Sequence, residues 1–344
     1  MANYFVSLSR GLGLCCGIAA VVVVFGRLFG TLVIDPLLLA LLAGIAFKNV
    51  FPSATWHKEG ARFAEKTVLE FSVLILGASI FLPQVTKSGA GLFILIISGV
   101  IGSMAVAFVV GRMLLKLDAK VAILVGVSNS ICGNSAAAVM APIIGASSAE
   151  LATVIGISAL LGASQIVLLP LLVPIFGLTD YQYGVVAGMA VYAVAQVYAA
   201  SATVSASAAS VATFVKLTRV VLLAPLAVSI HVLSRVQDPR GASTPDRKAF
   251  TEISFLRYLP WFVTGFIILA ILRSIGVISE EQGLTIREFS RYSFVVAMVA
   301  IGMTVDFRDV FKIGARVAVT ILSVILFMLL VSIIGVNLLS ASPG

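Results

Sequence analysis

The feature that most limits this chain is the length of its apolar runs. Stretches such as "GLFILIISGVIGSMAVAFVVGRMLL" (residues 91–115) hold about the 20 residues that a helix needs to cross a bilayer. Candidate spans lie near 11–30, 33–50, 67–84, 89–115, 119–143, 149–177, 182–204, 208–236, 257–276, 290–306 and 312–338. In hydrocarbon only helices and closed barrels satisfy their own backbone, and runs of this length read as helices. Charged residues make up 11% of the chain, against about a quarter in soluble domains. So few charges cannot cover a soluble fold of 344 residues. The expected fold class is an all-α integral membrane protein with about 11 transmembrane helices.

The basic residues orient it, because Lys and Arg gather in cytoplasmic loops. With the N-terminus inside, sixteen fall on inner segments, including the clusters Lys48–Lys66, Arg112–Lys120, Arg235–Arg257 and Arg308–Arg316. Five fall outside: Arg27, Lys87, Arg273, Arg287 and Arg291. The net charge of +8 therefore belongs to the loops and gives no reason to invoke nucleic acid. The lipid bilayer is the expected partner. Cys15, Cys16 and Cys132 form neither a disulfide framework nor a zinc spacing. Two histidines, His57 and His231, and the absence of HExxH, GxSxG or P-loop patterns argue against an enzyme. No bound metal or organic cofactor is expected.

The chain divides into an extra N-terminal helix (1–32), a first repeat (33–178), the start of a second (179–236), a polar cytoplasmic linker (237–256) and the remainder of the second repeat (257–344). Residues 51–66, with Trp56, Phe63 and basic neighbours, suit a short helix at the membrane surface. At an offset of 225, "LGASIFLPQVTKSGA" (76–90) and "IGMTVDFRDVFKIGA" (301–315) share Gly77/Gly302, Val85/Val310, Lys87/Lys312, Gly89/Gly314 and Ala90/Ala315. Chance and homology both account for this in a chain rich in Gly, Ala and Val. If homologous, the copies on the third and tenth spans run in opposite directions, as inverted repeats of transporters do. A five-plus-five repeat would pair the third span with the eighth, or the fifth with the tenth, so the register stays open.

Polar residues interrupt the fifth span in "SNSICGNSAAAVMAP" (128–142). Ser128, Asn129, Ser130, Cys132, Gly133, Asn134 and Ser135 are poor mid-helix residues. They fit a helix that breaks beside a cavity and aims a positive N-terminal end at a ligand. Packing between helices is the competing explanation. Tyr192 and Gln196 interrupt the seventh span, and Lys216 and Arg219, three apart, share a face of the eighth. Charge near the core is cationic, which favours an anionic substrate. Either the two cations face the interior, or they snorkel from a span that begins late.

These motifs, with "AVAQVYAAS", "FVKLTRVVLLAPLAV" and "AMVAIGMTVDFRDVFKIGA", resemble the corresponding stretches of the sulfate exporter (YeiH-like) family of bacterial inner-membrane proteins. The resemblance runs from about residue 33 to 335. It implies a fold similar to bile-acid/sodium symporters and sodium/proton antiporters, an inverted-repeat transporter with discontinuous crossing helices. It places Ser130, Cys132 and Gly133 on a first broken helix, Gln196 on a second motif, Lys216 and Arg219 on a basic pair, and Gly302 and Thr304 on the second break. The chain departs from that family at Ala141, where a Glu is expected, and at Tyr192-Ala193, where His-Glu is expected.

The sequence thus predicts a secondary active transporter for a small anion (sulfate, an organosulfur or a carboxylate compound) in the bacterial inner membrane, N-terminus inside and C-terminus outside. Na⁺ or H⁺ is the expected coupling ion. A sodium-coupled symporter of an organic solute, with Na⁺ near Asn129, Asn134 and Gln196, is the alternative. A non-transporting sensor or assembly protein and a homodimer stay open.

Overall fold

The computed structural model describes residues 2–28, 36–52, 56–85, 89–223, 225, 226, 229, 230, 260–304 and 314–341. The linker at 237–256 lies outside the described residues. Among them every regular element is helical. In chain order these are α1 (Ala2–Leu28), α2 (Pro36–Val50), α3 (58–79), α4 (Gly89–Leu114), α5 (Ala119–Ser130), α6 (Asn134–Ile144), α7 (Ser148–Phe176), α8 (Asp180–Ala190), α9 (Val194–Ala202), α10 (Ala206–Val221), α11 (Trp261–Ser274), α12 (Glu280–Gly302) and α13 (Ala315–Ala341). A one-turn helix, Leu82–Val85, follows α3. The stretch predicted as a separate surface helix instead begins α3, which runs on through a π-helical turn at Ala64–Val68.

Among the described residues, four segments are long and apolar enough to cross a membrane: Ser7–Gly26, Gly89–Leu114, Ser148–Phe176 and Ala315–Leu339. Shorter apolar helices include α2, α5, α6 and α11. Their outer faces are apolar: Ile94 is 66% exposed, Ile101 65% and Leu330 60%. A water-facing surface would not gather such residues into continuous patches. Helix starts are polar and local. Ser147 with Glu150, Thr179 with Gln182 and Ser279 with Gln282 form reciprocal capping boxes at α7, α8 and α12.

The helices sort into two bundles by their packing. Helices α1, α2, α3, α11 and α12 form one; α4 to α10 with α13 form the other. A Cβ on Gly77 would lie 2.4 Å from the Phe266 carbonyl oxygen, and one on Gly302 would lie 2.3 Å from that of Leu41. Both ends of these two contacts differ by 225, since 77 maps to 302 and 41 to 266. Gly77 and Gly302, paired in the sequence comparison, thus make contacts at equivalent offsets, α3 on α11 and α12 on α2. Neither five-plus-five register predicts this. Val310 and Lys312 of the repeat lie outside the described residues.

The candidate spans at 119–143 and 182–204 do not continue as single crossing helices. Each is a helical hairpin. Lys120 Nζ donates to the Gly145 carbonyl at 2.8 Å, although 25 residues of continuous helix would separate them by about 37 Å. Tyr183 Oη donates to the Ala200 carbonyl at 2.9 Å, a pair that one helix would hold about 25 Å apart. At the first turn Gly133 takes φ +78°, and at the second Val191 and Ala193 are extended. The arms of the first hairpin have 12 and 11 residues, about 17 Å each, roughly half a bilayer's hydrocarbon.

Candidate functional site

The two hairpins meet tip to tip. Tyr192, in the turn of the second, donates its hydroxyl to Asn134 Oδ1 at 2.5 Å in the first. The Tyr192 ring lies 3.1 Å from where a Cβ on Gly133 would stand. Gly133 combines φ 78° with ψ −128°, a backbone region nearly closed to residues with a Cβ. Gly133→Ala is expected to cost about 1–3 kcal/mol and to lower the melting temperature of the detergent-solubilised protein by several degrees. A melt unchanged from wild type would contradict this account of the turn.

Lys216 and Arg219 come from α10 and reach both tips. Each is fully buried. Arg219 Nε donates to the Ser130 carbonyl at 2.6 Å and Nη2 to that of Asn129 at 2.8 Å. Its Nη1 donates to Gly188 at 2.9 Å and also to Met189. Lys216 Nζ donates to the Val191 carbonyl at 2.8 Å. One guanidinium thus ties the C-terminal end of α5 to that of α8, across the two hairpins. Both cations face the interior, and their hydrogen bonds go to backbone carbonyls. Buried in apolar surroundings, they are satisfied by the orphan carbonyls of two helix ends. They also balance the negative ends of both dipoles.

The positive ends open the other way. A cavity of about 390 Å³ lies between the bundles, where α6 and α9 begin. Helix α6 starts with no side-chain cap. At α9, Gln196 Oε1 accepts from the Ala193 amide at 3.4 Å, while its Nε2 donates to Ala159 at 3.1 Å. Of the residues singled out by sequence, Cys132, Asn134, Ser135, Tyr192, Gln196 and Thr304 line this cavity. Ser128, Asn129 and Ser130 are buried behind it, where Ser130 shares a 2.5 Å hydrogen bond with Ser103. Gly302 packs on Leu41 in the other bundle.

The opposite wall was not predicted. It is the α3 face carrying Arg62, Glu65, Lys66 and Glu70. Their spacing, continued by Leu69 and Val73, is that of one helix face, but the charges read as a surface helix. Glu70 accepts from Trp261 Nε1 at 2.8 Å.

Most of the chain matches relatives in sequence. A family model described as "Conserved hypothetical protein 698" matches residues 10–335. A UPF0324 membrane protein of Brucella melitensis is 38% identical over 320 residues, covering 92% of this chain and 87% of its own length. One from Bradyrhizobium diazoefficiens is 36% identical, covering 95% and 92%. One from Bacillus cereus is 29% identical, covering 90% and 85%.

The chain belongs to the UPF0324 membrane protein family.

The YeiH-like resemblance read from the motifs is consistent with that membership. The names of UPF0324 relatives say that they are membrane proteins and nothing of substrate. The multi-pass membrane assignment of this UPF0324 chain rests on those names together with its apolar helices. No solved structure matches the chain.

Proposed function

We propose that this UPF0324 protein is a secondary active transporter of small anions in the bacterial inner membrane. The observation that carries the reading is the polarity of the hairpin tips. Both negative helix ends are closed by Arg219 and Lys216, while the positive ends of α6 and α9 begin at the cavity. Such ends bind anionic groups without a formal charge. Arg62 and Lys66 add positive charge on the facing wall. The apolar lining, including Ile155, Val194, Phe262 and Ile301, suits an organic sulfonate or carboxylate as well as sulfate.

In this reading nine of the described helices cross the bilayer and two hairpins enter it, one from each side. The second half is an inverted copy of the first with cyclically permuted order: α11, α12, α13, the α8–α9 hairpin and α10 match α2, α3, α4, the α5–α6 hairpin and α7. The bundle holding the hairpins moves against the other, giving alternating access. N-terminus inside and C-terminus outside still follows, because two hairpins leave the side of every basic loop unchanged.

One observation favours the sodium-coupled alternative. Asn129 Oδ1 is buried without a hydrogen-bond partner, whereas the Asn134 and Gln196 side-chain oxygens accept bonds from Tyr192 and Ala193. A thermal-shift screen of purified protein separates the readings, since ligands stabilise the state they bind. The anion reading predicts stabilisation by sulfate, methanesulfonate or acetate in choline buffer. Stabilisation that requires Na⁺ with every anion would transfer the assignment to the symporter.

A further inference from the structure

The anion site faces a carboxylate, and that needs a physical reason. Glu65 lines the same cavity as Tyr192 and the hairpin tips, from the facing bundle. Its helix is wound into a π-turn over Ala64–Val68. Such turns are rare and frequent at functional sites. The neighbouring acid, Glu70, is held by Trp261. Among the described residues, no hydrogen bond or ion pair engages Glu65. A free, half-buried carboxylate beside an anion site repels the anion when ionised and ceases to do so when protonated.

We propose that Glu65 is the proton-binding residue that couples this carrier to the proton gradient, an inference that rests on the anion reading above. One proton adds to one carboxylate oxygen as one anion enters. By linkage, a bound anion raises proton affinity and a bound proton raises anion affinity by the same factor.

Among the described residues, the other charged groups on α3 are Lys58, Glu59, Arg62, Lys66 and Glu70, with His57 just before it. The hairpins contribute Tyr192 and Cys132. Helix α1, which crosses α3 at Gly11 and Gly60, brings Arg10, Cys15 and Cys16. The α12 stretch 294–301, which antiparallel packing sets against this level of α3, carries no titratable side chain. Phe262 of α11 carries none either. Among the described residues that line the cavity, Glu65 is the carboxylate with no hydrogen bond or ion pair, with Arg62 as an opposite charge nearby on α3.

Anion affinity measured by thermal shift between about pH 6 and about pH 8.5 tests this, using sulfate, methanesulfonate and acetate, which do not titrate appreciably in that window. Wild type is expected to lose affinity as pH rises, by at most about tenfold per pH unit, the limit for one linked proton. Glu65→Gln, isosteric and uncharged, should bind with a flat pH profile at or above the best wild-type affinity. In proteoliposomes it should exchange anion at equal pH but fail to accumulate it against a pH gradient. Glu65→Asp should restore the slope. A wild-type slope retained in Glu65→Gln would overturn this inference alone. No stabilisation of wild type by any of the three anions at any pH would overturn the anion reading and this inference with it.

Discussion

Arg219→Ala is expected to prevent stable assembly of the protein. The substitution removes donors from four carbonyls at the ends of α5 and α8. A buried carbonyl left without a partner costs about 1–3 kcal/mol, and these surround a fully buried Arg219. The combined loss exceeds about 4 kcal/mol, most of the stability of a typical domain. It also releases one hairpin from the other. Detergent extracts should show aggregated protein in place of a single size-exclusion peak. Arg219→Lys keeps the charge but not the planar fork that reaches both hairpins, and should give an intermediate melting temperature. Lys216→Met removes one hydrogen bond, to Val191, and should cost less than Arg219→Ala. An Arg219→Ala protein that extracts and melts like wild type would contradict the role assigned to this residue.

Ser135→Asp is expected to abolish anion binding while preserving the fold. Ser135 lies in the first turn of α6, exposed to the cavity. A carboxylate there sits where the proposed substrate would sit. Acidic groups in a first turn stabilise a helix by about 0.3–1 kcal/mol, so the melting temperature should hold or rise. Anion affinity should fall more than tenfold, about 1.4 kcal/mol or more, because the site is filled by its own chain. Ser135→Ala, which leaves the helix end open, should stay near wild type. The opposite movement of stability and binding is what a merely disruptive substitution would not produce. If Ser135→Asp binds anions as wild type does, the α6 terminus is not the site.

Much of this arrangement is legible in the chain. The polar run from Ser128 to Ser135 marks a true interruption, and Lys216 and Arg219 do turn inward. What they do there is not legible, because a cation that binds substrate and one that closes a helix end leave the same pattern. The hairpins were hidden for a related reason. From residue 121 to 215 there is no Lys or Arg, so loop charge does not report on which side the chain emerges. A crossing helix and a hairpin of the same length are equally apolar. The repeat at an offset of 225 is visible as letters, but its meaning came from Gly77 on Phe266 and Gly302 on Leu41. Those glycines admit a neighbouring backbone, a contact that spacing does not reveal. The α3 wall was missed because Arg62, Glu65 and Lys66 look like a loop's charges until the helix around them is continuous with a membrane span.

The central claim is that the paired helix starts at the hairpin tips bind an anion for transport. Counterflow in proteoliposomes tests it most directly, with labelled sulfate, methanesulfonate or acetate outside and the same unlabelled anion inside. The account predicts saturable uptake of at least one of the three by wild type and at least a tenfold loss in Ser135→Asp, with the variant protein folded. Uptake equal to empty vesicles for every anion, or equal rates in wild type and Ser135→Asp, would contradict it.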